Sequence, residues 1–170
     1  MEEISLYGSN GKPDWFRKLN PKGTVPVFVC QGGAVILADS DLILNEIGNI
    51  AQGGSKLMVA QDEKKQQQVQ QFRDTLSQFL PIGKMAVLGG NKEKMWSKLN
   101  ELDTLVQGPY ICGEEITVAD CAAFPFLWRI HDEFGSLGKH GCPNIQKWLG
   151  ASSENPAFSQ TVQGSWWWWW

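Results

Sequence analysis

Residues 24–41 read TVPVFVCQGGAVILADSD, and this stretch decides how the first part of the chain folds. Most of its first seven residues are β-branched or aromatic, which predicts a strand over 24–30. Pro26 must lie at the start or edge of that strand, because proline has no N–H to donate to a sheet ladder. Gln31-Gly32-Gly33 predicts a tight turn, so residues 34–38 are expected to form the returning strand of a hairpin.

The segments on either side of this hairpin predict further α/β structure. Residues 4–7 alternate apolar and polar side chains as a short strand does, and residues 14–19 can form a helical turn. After the hairpin, Ser40 is typical of a helix N-cap, which predicts a helix over 40–50. The glycine-containing segment 52–55 then predicts a linker and a domain boundary.

The remainder of the chain predicts a helical bundle. Apolar residues at helical spacing indicate helices over about 60–80, 118–134 and 143–153. The helix over 118–134 is apolar around much of its circumference, which places it in the core, and Pro125 is expected to bend it. Another helix precedes the 118–134 helix and ends before Gly108-Pro109. The apolar stripe of that preceding helix consists of Met95, Leu99, Leu102 and Val106.

Strands confined to the first quarter of the chain and followed by helices alone predict two segregated units. The fold class is therefore α/β plus all-α. We expect an α/β domain over 1–51, an all-helical domain over 52–159 and a tryptophan-rich tail over 160–170.

Thr117 and Asp120 stand three residues apart immediately before the apolar run of the core helix. This spacing predicts a capping box, in which the two residues satisfy backbone amides at the helix N-terminus. Such a cap stabilises a helix by about 1 kcal/mol. Because capping accounts fully for both residues, we assign them a structural role.

Composition and charge exclude several classes of function. The net charge is −3 without a basic stripe, so no nucleic-acid partner is expected. No apolar run reaches about 18 residues, so no transmembrane segment is expected. The opening Met1-Glu2-Glu3 does not resemble a signal peptide. The four cysteines and two histidines lack zinc spacing, which favours reduced thiols and no metal.

Five motifs together resemble the glutathione transferase superfamily, most closely its omega, lambda and dehydroascorbate reductase branches. They are Lys-Pro-Asp-Trp-Phe (12–16), Asn-Pro-Lys-Gly-Thr-Val-Pro-Val (20–27), Ala-Asp-Ser-Asp (38–41), Gly-Glu-Glu-Ile-Thr-Val-Ala-Asp (113–120) and Asn-Pro-Ala-Phe (155–158). The resemblance implies an incomplete thioredoxin-like N-terminal domain followed by a glutathione transferase-type C-terminal helical bundle.

The resemblance also implies a glutathione site. By position, Val25 would bind the cysteinyl backbone of glutathione next to a cis bond to Pro26. Asp39 and Ser40 would hold the γ-glutamyl end, and Lys12 would meet the glycyl carboxylate. Singly, each residue has a structural alternative: an edge-strand proline, an N-cap serine or a surface lysine. The ordered set favours an inherited ligand site.

The same resemblance places the family's catalytic residue, typically a cysteine in these branches, at the start of a first helix. This chain begins where the family's second strand would begin, so we expect the first β-α unit to be absent and activity to be low. A truncated sequence, a partner chain that fills the gap and a rearranged fold all remain open as explanations. A displaced redox thiol at Cys112 or Cys142 is an alternative, but inert thiols are favoured.

Two functional hypotheses follow. The first is a glutathione-dependent thiol transferase or dehydroascorbate reductase lineage, in the cytoplasm or a plastid. The second is a non-catalytic subunit of a larger, membrane-associated photosynthetic complex, which docks on a protein or membrane surface through an aromatic tail. A disordered or cloning-derived end is the alternative explanation of that tail. Its residues are Trp166, Trp167, Trp168, Trp169 and Trp170.

Overall fold

The computed structural model describes residues 11–51, 54–59 and 61–162. The chain divides into two compact units, of which the first ends at Ala51 and the second begins at Gln52. The strand predicted over 4–7 and the five terminal tryptophans lie outside the described residues.

The described part of the first unit is a β-hairpin with two helices. Its elements are α1 (Asp14–Leu19), β1 (Phe28–Cys30), β2 (Val35–Leu37) and α2 (Ser40–Ile50). The two strands are antiparallel, with Val29 opposite Ile36. The turn between them takes positive φ at Gln31 (52°), Gly32 (65°) and Gly33 (98°), a region of backbone space that glycine enters without steric cost.

Two expectations for this unit need correction. The strand predicted over 24–30 is shorter, because only Phe28–Cys30 pairs with β2. Pro26 has no N–H to donate, and the segment before Phe28 forms a loop instead. The N-cap of α2 is Asp39 and not Ser40. Asp39 has extended backbone angles and its side chain accepts two helix N–H groups, whereas Ser40 is the first helical residue.

The described part of the second unit, residues 54–59 and 61–162, consists of helices joined by loops. Its α-helices are α3 (Gly54–Leu57), α4 (Glu63–Val87), α5 (Lys92–Asp103), α6 (Val118–Phe134), α7 (Pro143–Glu154) and α8 (Pro156–Val162). A short 3-10 helix, Leu137–His140, precedes α7. The prediction that the first long helix ends at Leu80 was wrong, since α4 continues through Pro81 to Val87. Within this extension Gly83 and Ala86 are buried, and Gly83 lies close to Ile130 of α6. No helix was predicted over the residues that form α8.

The core of the second unit lies where α4, α5, α6 and α7 pack together. The apolar stripe predicted for α5 is buried at all four positions from Met95 to Val106, whereas Phe126 and Trp128 of α6 are only half-buried. The largest fully buried side chains are Trp148, Phe72, Phe79, Phe124, Met95 and Leu99.

Two buried carboxylates anchor helix N-termini in this core. Thr117 and Asp120 form the capping box of α6. Asp120 accepts hydrogen bonds from the backbone N–H groups of Thr117 (2.7 Å) and Ile111 (2.8 Å), and from Trp148 Nε1 (2.8 Å). Asp103 of α5 accepts the backbone N–H of Ile145 (2.7 Å) and thereby caps α7. Both carboxylates link sequence-distant elements.

Candidate functional site

The candidate ligand residues of the first unit surround one loop, residues 20–25. Asn20 is buried and organises this loop. Its Nδ2 donates to the Thr24 carbonyl (2.8 Å) and to Thr24 Oγ1 (3.1 Å), and its own carbonyl accepts the Gly23 N–H (2.8 Å). These bonds therefore hold the last residue of the loop, Val25, in a fixed position.

Val25 offers backbone groups that are free to bind an extended ligand. The Val25–Pro26 peptide bond is cis, and the Val25 side chain is 43% exposed. Among the described residues, neither the N–H nor the carbonyl of Val25 has a hydrogen-bond partner. Unpaired backbone groups of this kind can pair with a peptide laid alongside, as an added strand does.

Asp39 and Ser40 lie close to that loop at the start of α2. Thr24 Oγ1 donates to the carbonyl of Ala38 (3.3 Å), which ties the loop to the residue before Asp39. Asp39 Oδ1 accepts the backbone N–H groups of Asp41 (2.9 Å) and Leu42 (3.2 Å). Neither Asp39 Oδ2 nor the Ser40 N–H is bonded within the described part of the chain.

This arrangement suits the α-amino acid end of a ligand. The free carboxylate oxygen of Asp39 can accept an ammonium group. The free Ser40 N–H, at the positive end of the helix dipole, can donate to a carboxylate.

Lys12 precedes this loop in the sequence, and its side chain lies next to it. Its side chain lies over Gly23, so that a Cβ at Gly23 would be 3.4 Å from Lys12 Cδ and 3.6 Å from Nζ. Gly23 also has a positive φ of 65°. Both facts explain why this turn contains glycine. No carboxylate among the residues that the structure describes pairs with Lys12, which leaves a cation beside the loop.

Asn20 and Thr24, which organise this loop, were not predicted as part of the site. The residues that were predicted are Lys12, Val25, Pro26, Asp39 and Ser40. Asn20 occurs in Asn-Pro-Lys-Gly-Thr, a combination typical of a side-chain-stabilised turn. That signal was present in the sequence. The bond from Thr24 to Ala38 depends on hairpin register and could not be foreseen from residue types.

A separate cavity of about 300 Å³ lies in the helical unit, between the C-terminal part of α4 and the middle of α6. Its wall is largely apolar and includes two cationic side chains. The lining residues are Phe79, Leu80, Pro81, Gly83, Lys84, Val87, Phe126, Arg129 and Ile130. An apolar cavity with few polar groups is the usual form of a small-molecule site.

The cysteines are poorly suited to act as nucleophiles. Burial raises the pKa of Cys112 and of Cys121 to about 11, and the nearby carboxylate of Asp120 adds to both shifts. Burial and Asp103 raise the pKa of Cys142 to about 12. The helix terminus at α7 therefore does not activate Cys142, whose Sγ donates to Asn100 Oδ1 (3.0 Å). A displaced redox thiol at Cys112 or Cys142 has no support in this geometry.

Cys30 has an acidic neighbour in the described part of the chain. It ends β1, and its Sγ lies 4.0 Å from Glu46 Oε1. Within the described ranges, no cluster of three or more His, Cys, Asp or Glu side chains could hold a metal ion. In the same residues, no helix is both long and apolar enough to cross a membrane.

Two family models match the chain. The glutathione S-transferase N-terminal domain matches residues 2–50, and the glutathione S-transferase C-terminal domain matches residues 85–151. Together the two matches cover more than half of the chain. The two-unit α/β and all-helical architecture agrees with this order of domains. The chain belongs to the glutathione transferase superfamily.

Individual relatives agree with the predicted branches. The chain is 26% identical to a probable glutathione S-transferase DHAR2, chloroplastic, of Oryza sativa subsp. japonica, over 94% of this chain and 58% of the relative. It is 28% identical to glutathione S-transferase omega-1 of Sus scrofa, over 87% of this chain and 64% of the relative. The chain thus spans about three fifths of the length of these curated relatives.

Solved structures confirm the fold class predicted from the sequence. A structure titled Leishmania TDR1, a unique trimeric glutathione transferase, matches with a TM-score of 0.76 at 25% identity, over 93% of this chain and 38% of that one. Glutathione transferase Omega 2C from Trametes versicolor matches with a TM-score of 0.74 at 20% identity, over 96% and 80%. A thioredoxin-like part followed by a glutathione transferase-type helical bundle describes the chain.

Proposed function

We propose that this chain binds glutathione and descends from a glutathione-dependent thiol transferase or dehydroascorbate reductase. The observation that supports the proposal is that three groups with suitable chemistry for a ligand lie at the loop 20–25. These are a free backbone at Val25, an amino acid-binding helix start at Asp39 and Ser40, and an unpaired cation at Lys12.

Glutathione has the chemistry that these elements require. Its γ-glutamyl end carries an ammonium and a carboxylate, which match Asp39 Oδ2 and the Ser40 N–H. Its cysteinyl residue offers a backbone N–H and carbonyl to Val25. Its glycyl carboxylate can pair with Lys12. We assign the cavity of the helical unit to the apolar part of a second ligand.

We further propose that this chain alone has little or no transferase activity. The supporting observation is that burial raises the pKa of Cys112, Cys121 and Cys142, so that their thiolates are scarce near neutral pH. The proposal is tested by assaying the 170-residue chain for thiol transfer and dehydroascorbate reduction with glutathione. Turnover that exceeds the reaction without protein would contradict it.

Glutathione binding is tested by calorimetry on the full chain and on Asp39→Asn. Asparagine caps helices as well as aspartate does, so this change removes the charge and leaves α2 capped. Loss of a charge-assisted bond is expected to weaken glutathione binding about tenfold. Asp62→Asn is the matched control, because Asp62 caps α4 in the other unit through one bond to the Lys65 N–H (2.9 Å). Equal affinity of both variants would refute the assigned site.

A second candidate function is a non-catalytic subunit that docks on a protein or membrane surface of a larger, membrane-associated photosynthetic complex. The observation that favours it is the run of five tryptophans, Trp166–Trp170, a residue type enriched at interaction hot spots and membrane interfaces. The test compares the full chain with a variant that ends at Ser165, in pull-downs and in flotation with phosphatidylcholine vesicles. Identical behaviour of the two chains would exclude docking through the tail.

We place the protein in the cytoplasm or a plastid. The proposal rests on relatives described as chloroplastic and cytosolic and on four cysteines without a disulfide among the described residues. Cell fractionation of the source organism tests it, and recovery in a secreted fraction would contradict it.

A further inference from the structure

The cavity of the helical unit carries one cation whose charge no described side chain neutralises. Lys84 lies in the last turn of α4 and on the cavity wall. The other cation of the wall, Arg129, donates to Asp132 (2.7 Å) and Glu133 (3.0 Å). In contrast, no carboxylate of residues 11–51, 54–59 or 61–162 pairs with Lys84. The unpaired charge at this cavity is positive.

The surroundings of Lys84 define the complementary ligand. Apart from Lys84 and Arg129, the wall consists of apolar side chains and Gly83. A volume of about 300 Å³ is at the lower end of the range for small-molecule sites. An apolar body gains free energy by entering such a cavity, and one anionic group can remain near the Lys84 ammonium at the partly exposed rim.

We propose that Lys84 determines the ligand specificity of this cavity, and that it selects apolar organic acids over their uncharged analogues. The expected ligands have an aromatic or branched hydrocarbon body and a single carboxylate. The inference rests on the proposed function only in taking such an acid as the second ligand of a glutathione-binding protein.

A structural role alone would also place a lysine here. Lys84 stands near the C-terminus of α4, where a cation interacts favourably with the helix dipole. That role predicts an effect of Lys84 on stability but no discrimination between charged and neutral ligands. The two explanations therefore differ in a binding measurement.

The test uses calorimetry on the full chain with two probes of the same shape, 1-naphthoate and the neutral 1-naphthamide. We expect the naphthoate to bind about three- to fivefold more tightly at low salt, as for a partly exposed ion pair. Raising the salt to about 0.5 M should diminish this preference by screening. Lys84→Met keeps the aliphatic stem and is expected to abolish the preference while leaving naphthamide affinity unchanged.

Lys147→Met is the matched control, because Lys147 is an exposed lysine of α7 away from the cavity wall. It should retain the wild-type preference. Lys84→Gln provides a second variant if the methionine affects folding. Equal affinity of the two probes in the wild type, or a preference that persists without Lys84, would overturn the inference. Loss of glutathione binding with the naphthoate preference intact would overturn the proposed function and leave the role of Lys84 standing.

Discussion

Glycine occupies interior positions in two helices of the second unit, and the two sites differ in what a methyl group would meet. At Gly150 of α7 nothing lies within 4 Å of an added Cβ. At Gly83 of α4 the Cβ would lie 3.0 Å from ring atoms of the fully buried Phe79 and 3.5 Å from Ile130 Cδ1. The same substitution should therefore have opposite effects at the two positions.

Gly150→Ala is expected to raise the free energy of unfolding by about 0.5–1 kcal/mol, because alanine loses less backbone entropy in a helix. Gly83→Ala should lower it by about 1–3 kcal/mol, because the core around Phe79 must shift to admit the methyl group. Urea unfolding followed by circular dichroism measures both changes. A stabilised Gly83→Ala would show that Phe79 can move at little cost.

At the scale of the element, Asp120 connects the start of α6 to α7 and to the loop at Ile111. Its carboxylate is fully buried and accepts bonds from Thr117, Ile111 and Trp148. Asp120→Ala leaves several buried donors without an acceptor, so we expect a loss of about 3 kcal/mol or more. Asp62→Ala removes a similar but exposed cap from α4 and should lose about 1 kcal/mol. Similar losses in urea unfolding would mean that the buried network adds nothing to capping.

The elements also show where sequence reasoning succeeds. The helices α1 and α6 were predicted with the bounds that the structure has, since each is marked by local signals such as Thr117 before α6, whereas the N-cap of α2 was placed one residue too late. The Thr117–Asp120 pair was visible from its spacing. The bond from Trp148 Nε1 to Asp120 was not, because tertiary packing brings together residues 28 positions apart.

Predictions of whole elements that failed also did so because tertiary packing is not visible in local sequence patterns. Pro81 predicts a helix end from local chemistry, but tertiary packing that buries Gly83 and Ala86 carries the helix through to Val87. In the candidate site, Asp39 and Lys12 were proposed from the resemblance of their motifs to those of glutathione transferases. Their approach to one loop depends on Asn20, Thr24 and the hairpin register, which residue patterns alone do not specify.

At the scale of the whole molecule, the buried thiols are expected to lower the free energy of unfolding as the pH becomes alkaline. In the unfolded chain a thiol ionises near pH 8.5, whereas burial raises the folded pKa of Cys112 and Cys121 to about 11 and of Cys142 to about 12. The unfolded state therefore loses these protons first, and their contribution to stability declines as the pH rises from about 9 towards 11–12. Urea midpoints at several pH values, with a reductant present, should show this decline.

Cys142→Ser isolates one thiol from the other groups that titrate in this range. Serine keeps a donor for Asn100 Oδ1 but does not ionise there. The variant should lose less stability between pH 9 and 11 than the wild type does. An unchanged slope would show that Cys142 ionises equally in the folded and unfolded chains.

The two units should also differ in resistance to unfolding, because their cores differ in size. Among the described residues of the first unit, only Phe16 and Ile43 are buried apolar side chains, whereas those of the second unit run from Val59 to Phe158. Hydrophobic burial scales with apolar area removed from water, so the first unit has far less to stabilise it. We expect alkylation of Cys30 at lower urea than alkylation of Cys112 and Cys142. Mass spectrometry of the labelled peptides reads both units in one experiment, and a single shared midpoint would mean that the units unfold as one cooperative body.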